Sequence, residues 1–145
     1  MYRIDEIEDA LVSAITTAGF AATPYTNEPD AKFLSQEVGE TPLVLVTYHH
    51  CEAAKSVTFN LRNGVDFYFR LFVVARNLRA LSKSAATRGT GTNGLYAALD
   101  SLRSLLSENS LGFTAQPMAF ISEIPSHRSA GLSAYQQEWK LTVMA

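Results

Sequence analysis

The chain switches between two hydrophobic periods, and the switches divide it into elements. Ile4, Ile7, Leu11, Ala14, Ile15 and Ala18 recur at helical spacing, which predicts an amphipathic helix over 4–18. Its first turn is acidic, which suits the positive end of a helix dipole. Gly19 is placed to close it in a left-handed cap. Residues 20–42 contain Pro24, Pro29, Gly39 and Pro42 with little periodicity. They read as a long loop, with one short turn near Ala31–Gln36 and with Phe33 and Leu34 to tack it down. Leu43–Tyr48, LVLVTY, is a short run of β-formers and predicts a buried strand.

A period of two then takes over. Val57, Phe59 and Leu61 alternate with Ser56, Thr58 and Asn60, and Val65, Phe67, Phe69, Leu71 and Val73 do so on the next run. A two-residue turn at Asn63-Gly64 would set polar positions opposite apolar ones. A three-residue loop, Arg62-Asn63-Gly64, puts Leu61 against Val65, Phe59 against Phe67 and Val57 against Phe69. Register follows the buried face, so the three-residue loop is expected. Tyr68, Phe72 and Val74 make the second strand apolar on both faces near its end, as in a central or interface strand.

Asn77 opens a small, polar, basic run with glycines at 89, 91 and 94. Ordering a residue costs about 1–2 kcal/mol of backbone entropy. So few apolar groups cannot recover that within one subunit, so this loop is expected to be mobile until a neighbour holds it. Asn93 suits an N-cap. Leu95, Leu99, Leu102 and Leu106 then predict a helix over 94–108, ended by Asn109–Gly112. Pro117–Ile124 reads as a strand, Pro125–Gly131 as a turn, and Leu132–Val143 as a strand with one buried and one wet face. The expected class is α+β. A mainly antiparallel sheet of about five strands carries two helices, in the order α-β-β-β-α-β-β. One domain spans 1–145, with mobile loops at about 20–42 and 77–93.

Composition narrows the function classes. The chain has 145 residues, 47% hydrophobic and 18% charged, with a net charge of −2, an ordinary globular balance. The single cysteine, Cys51, cannot pair within the chain, and a reducing compartment fits it best. The start carries Asp5, Glu6, Glu8 and Asp9, unlike a signal peptide. No apolar run approaches the roughly 20 residues of a membrane span. Charge is unevenly spread. Residues 1–52 hold nine acids against Arg3 and Lys32. From Phe67 to Leu99 there is no acid but there are five bases, Arg70, Arg76, Arg79, Lys83 and Arg88. Either this is a solvated surface, or patches of opposite sign meet across subunits, as in rings and filaments.

Candidate chemistry is sparse. Gly89-Thr90-Gly91-Thr92-Asn93-Gly94 matches G-x-G-x-x-G, but the preceding strand ends well before it and no acid is suitably placed after it. His49-His50-Cys51 resembles a ligand run. In extended chain, neighbours point to opposite sides, so at most two of the three could share an ion; a turn after the strand is expected and no metal site. Ser126-His127 with Glu123 reads as a local turn cluster, because a triad of near-neighbours has the wrong geometry. No catalytic residue and no cofactor are expected. Arg76, Arg79, Lys83 and Arg88 could meet a neighbouring subunit's acids or DNA phosphates. A near-neutral chain without interleaved aromatics does not suggest sequence-specific nucleic-acid binding.

The order of these segments has a counterpart. An acidic helix containing Ile7-Glu8-Asp9-Ala10-Leu11 precedes an apolar strand running into Val74-Ala75-Arg76-Asn77. A glycine-rich loop follows, then a helix opening Gly94-Leu95-Tyr96, and Gly131-Leu132-Ser133-Ala134-Tyr135 begins the last strand. This resembles the Mu-like phage and prophage family encoded beside the contractile tail sheath, whose members look like tail terminator, or tail completion, subunits. The resemblance implies a small α+β sandwich without catalysis or cofactor. It implies a homo-oligomeric ring, expected as a hexamer, that caps the tail tube and sheath and meets the head–neck proteins. DNA would pass through the ring, and the subunit would sit in the virion tail after assembly in the host cytoplasm. Another head–tail connector fits the same physics, and a nucleotide-binding domain using Gly89–Gly94 is the further alternative.

Overall fold

The computed structural model describes residues 3–25, 42–53, 64–76, 95–107, 109–113, 117–128 and 132–144. Helix α1 spans Ile4–Thr17. At its start the Arg3 N–H donates to Glu6 Oε2 at 3.0 Å. At its end Gly19 has φ +101°, and the Gly19 and Phe20 N–H groups donate back to the carbonyls of Thr16 and Ile15. That reversal is a Schellman motif, and Phe20 packs onto the core beyond it. Ile7, Leu11 and Ile15 form the buried stripe.

The strands are β1 (Ala21–Pro24), β2 (Leu43–Ala53), β3 (Gly64–Arg76), β4 (Ala119–Arg128) and β5 (Leu132–Met144), with helix α2 (Leu95–Leu106) between β3 and β4. The element order is the expected α-β-β-β-α-β-β. One five-stranded sheet runs β1-β2-β3-β5-β4. Only β1 and β2 are parallel; the other pairs are antiparallel.

Several local readings are corrected. Ala21–Pro24 is a strand within the stretch expected as a loop; four residues are too few to print a period, and its pairing with Leu43–Val46 defines it. The proposed partner strand 56–61 lies outside the described residues. The partners of Val65, Phe67 and Phe69 are nevertheless described, and they belong to other strands. The three residues pair with Ala53, Cys51 and Tyr48 on one side and with Val143, Leu141 and Trp139 on the other. Both edges of β3 are therefore occupied by β2 and β5. β2 continues through His49, His50 and Cys51 instead of turning after Tyr48. β4 continues through Pro125, Ser126, His127 and Arg128. Pro125 is tolerated there because β4 is an edge strand with a register shift beside it.

The core lies on one face of the sheet. Both helices place their buried residues there, against Val44, Val46, Phe67, Phe69, Leu71, Val73, Trp139, Leu141 and Val143. Fully burying one such side chain contributes about 1.5–3 kcal/mol. A smaller cluster of Leu43, Leu45, Phe72, Val74 and Ala134 occupies the opposite face, with Tyr25 packed on it. β3 is thus buried on both faces near its end, as expected of a central strand. β5 departs from its expected wet face. Gln136 and Thr142 on that side are buried, and Thr142 Oγ1 donates to Asp66 Oδ1 at 2.5 Å. Among the described residues, no helix is long and apolar enough to cross a membrane.

Candidate functional site

The face of the sheet opposite the helices carries apolar residues at one end and polar ones at the other. Thr47 pairs with Arg70, which pairs with Glu138; His50 pairs with Tyr68, which pairs with Lys140; Glu52 pairs with Asp66, which pairs with Thr142. Alternation puts all of these on the same face. His49 joins them because the register shifts between Tyr48 and His50. A β-bulge sets two residues of one strand opposite one of its partner. Here it cancels the alternation that should separate adjacent histidines.

The bulge brings His49 Nδ1 to 2.5 Å from His50 Nδ1, with the two rings edge-to-face at 4.5 Å. Glu138 Oε1, from β5, lies 3.7 Å from His49 Nδ1. The three ligand-capable atoms lie within 4.8 Å of one another. Two of the three are supported by neighbours. His50 stacks on the Tyr68 ring, with centroids 4.4 Å apart and planes 6° from parallel. The far nitrogen of His50, Nε2, lies 3.3 Å from Glu52 Oε1. Arg70 Nε is 3.9 Å from Glu138 Oε1, and is itself buried with no hydrogen-bond partner among the described residues.

Titration reflects this setting. Partial burial lowers the His49 pKa, the Arg70 and His50 charges lower it further, and Glu138 opposes them. Burial also raises the Tyr68 phenol, helped by Glu52, Asp66 and Glu138. On the other face of β2, burial and a hydrogen bond with Cys51 push the Tyr48 phenol up to about 12.

The remaining candidates fall elsewhere. Cys51 is exposed and pairs with Phe67, which puts it on the helix side of the sheet, away from the histidines. Arg76 is the last residue of β3 and pairs with Leu132; its side chain, and Arg79, Lys83, Arg88 and the Gly89–Gly94 motif, lie outside the described residues. Ser126 and His127 sit in β4 rather than in a turn. Glu123 serves the interior: it accepts from Gln137 Nε2 at 2.8 Å and pairs with Arg103 of α2. The residue that sequence reading missed is Glu138. It lies in another strand, and only the sheet order brings it to the histidines.

A second surface is the outer edge of β4. Among the described residues this strand ends the sheet, and Phe120, Ile121 and Ile124 on it are exposed. Native sheets usually blunt such an edge with charge or cover it.

Fold and site together define a small α+β domain: one sheet, helices on one face, a polar side-chain cluster on the other and, among the described residues, an edge strand with exposed apolar side chains. The family is more specific. A family model described as Bacteriophage Mu, Gp37 matches residues 3–144. The chain belongs to that family, and so to the structural proteins of Mu-like phages. No curated protein is matched by the sequence.

Proposed function

We propose that this chain is the tail terminator subunit of a Mu-like contractile tail. It has no enzymatic role. Copies of it close into a ring, expected as a hexamer, on the finished tail tube and sheath. The ring then offers its outer surface to the head–neck proteins. The observation that carries this reading is family membership over nearly the whole chain. Two physical features support it. The β4 edge leaves main-chain groups and three large apolar side chains for a neighbour. The acid-rich first third and the acid-free stretch from Phe67 to Leu99 suit a head-to-tail contact, which is the kind that closes rings. In this reading Arg76, Arg79, Lys83 and Arg88 meet a neighbouring subunit or the DNA in the lumen.

The experiment is electron microscopy of tails from phage carrying or lacking the gene. With it, a single ring should cap the head-proximal end of the tube and sheath. Without it, tails should lose length control and fail to join heads. Density for this chain on the head side of a separately capped tail would make it a neck connector instead and overturn the reading.

A further inference from the structure

We propose that His49, His50 and Glu138 form a binding site for a borderline divalent transition-metal ion of the Zn²⁺ class. The bulge in β2 turns two adjacent imidazoles to one side, and their Nδ1 atoms converge at 2.5 Å. Two imidazoles that close compete for one proton, and a shared cation between the two lone pairs removes that conflict. Glu138 Oε1, 3.7 Å from His49 Nδ1, supplies the negative charge. Two nitrogens and one carboxylate oxygen are a donor set that suits Zn²⁺ and its neighbours in the first transition series better than Mg²⁺ or Ca²⁺, which prefer oxygen throughout.

The geometry needs little adjustment. Zn–N bonds of about 2.0–2.1 Å in tetrahedral array put two ligand nitrogens roughly 3.3 Å apart. The histidines must therefore open by about 0.8 Å. Both side chains are 37% exposed, so small rotations can provide this. The Glu138 Oε1 to His49 Nδ1 spacing of 3.7 Å is already close to the required edge. The outer parts of the site are also in place. Glu52 lies at hydrogen-bonding distance from the far nitrogen of His50, the arrangement that fixes a ligating imidazole's tautomer and raises its basicity. Tyr68 holds the plane of the same ring. Arg70 and Lys140 lie on the same face and oppose a cation. Glu52, Asp66 and Glu138 on that face outnumber them by one, so the net local charge does not oppose a cation. The half-exposed imidazoles leave the fourth position open to solvent, where water or a ligand from a neighbouring molecule can complete the shell.

The test is titration of the untagged full-length chain with ZnCl₂ by isothermal calorimetry, in a buffer that does not chelate. One Zn²⁺ should bind per chain. H49A, H50A and E138Q should each weaken binding about tenfold or more, and E52Q about tenfold through His50. C51S and H127A should bind as the parent does. Co²⁺ in place of Zn²⁺ should give d–d absorption without a thiolate charge-transfer band. The two histidine side chains are partly exposed, so thermal melts of metal-free H49A and H50A should match the parent and separate lost binding from lost folding. Undiminished binding in H49A and H50A would overturn the site. So would loss of binding in C51S or H127A, or a thiolate band with Co²⁺.

Discussion

Gln137 is fully buried, yet its amide is answered on every side. Its Nε2 donates to the Leu99 carbonyl of α2 at 3.2 Å and to Glu123 of β4, and its Oε1 accepts from Trp139 Nε1 at 3.1 Å. One side chain thus ties α2, β4 and β5 together. Truncating it leaves the buried Trp139 indole N–H without its acceptor, while Glu123 keeps its pairing with Arg103. Gln137→Ala should cost about 1–3 kcal/mol, the usual penalty for an unanswered buried polar group, read as a shift in the urea midpoint at unchanged m-value. At His49 the sign of the pH effect follows from its lowered pKa. Lowered in the folded state means that the unfolded chain binds the proton more readily. Stability contributed by neutral His49 is therefore present above the unfolded pKa and lost as pH falls through it. Urea midpoints should drop between about pH 7.5 and pH 5. In His49→Gln that dependence should flatten.

At the scale of elements, what was legible depended on whether the signal was local. The helix stop at Gly19 was legible because only a residue free of Cβ strain closes a Schellman turn comfortably. Gly19 has open space where a Cβ would sit, so Gly19→Ala is penalised by backbone conformation alone. It should lower stability by about 1–2 kcal/mol in thermal or urea unfolding, without changing the fold. The faces of β3 and β5 were also legible, because Phe67, Phe69, Leu71 and Trp139, Leu141, Val143 repeat every second residue. Alternation says which face a strand buries and nothing about which strand lies beside it. Hence alternation alone points Val65, Phe67 and Phe69 to the nearest run in sequence, whereas β2 and β5 flank them. The histidine site was hidden for a sharper reason. A bulge breaks the very alternation used to separate His49 from His50, and no residue type at Tyr48–His50 announces it.

At the scale of the whole molecule, the sheet is protected unevenly. β2, β3 and β5 have partners on both sides, the helices cover one face, and β1 ends the other side of the sheet after four residues. β4 is different: ten residues long, terminal, and carrying Ile121 at 43% and Ile124 at 49% exposure. Such an edge invites another chain, and in the proposed ring it is the surface that would meet a neighbouring subunit. Phe120 is set apart, since its ring packs edge-on against Trp139 at 5.4 Å and belongs partly to the core. The discriminating variant therefore leaves Phe120 alone and replaces Ile121→Lys and Ile124→Lys together. Exposed positions tolerate charge, so the monomer's melting temperature should move little; surface changes are usually within about 0.5 kcal/mol. Lysines along an edge strand oppose edge-to-edge pairing. Ring formation on tail tubes, followed by native mass spectrometry or by microscopy, should fall well below that of the parent. Rings that assemble normally from the double variant would move the subunit contact off β4.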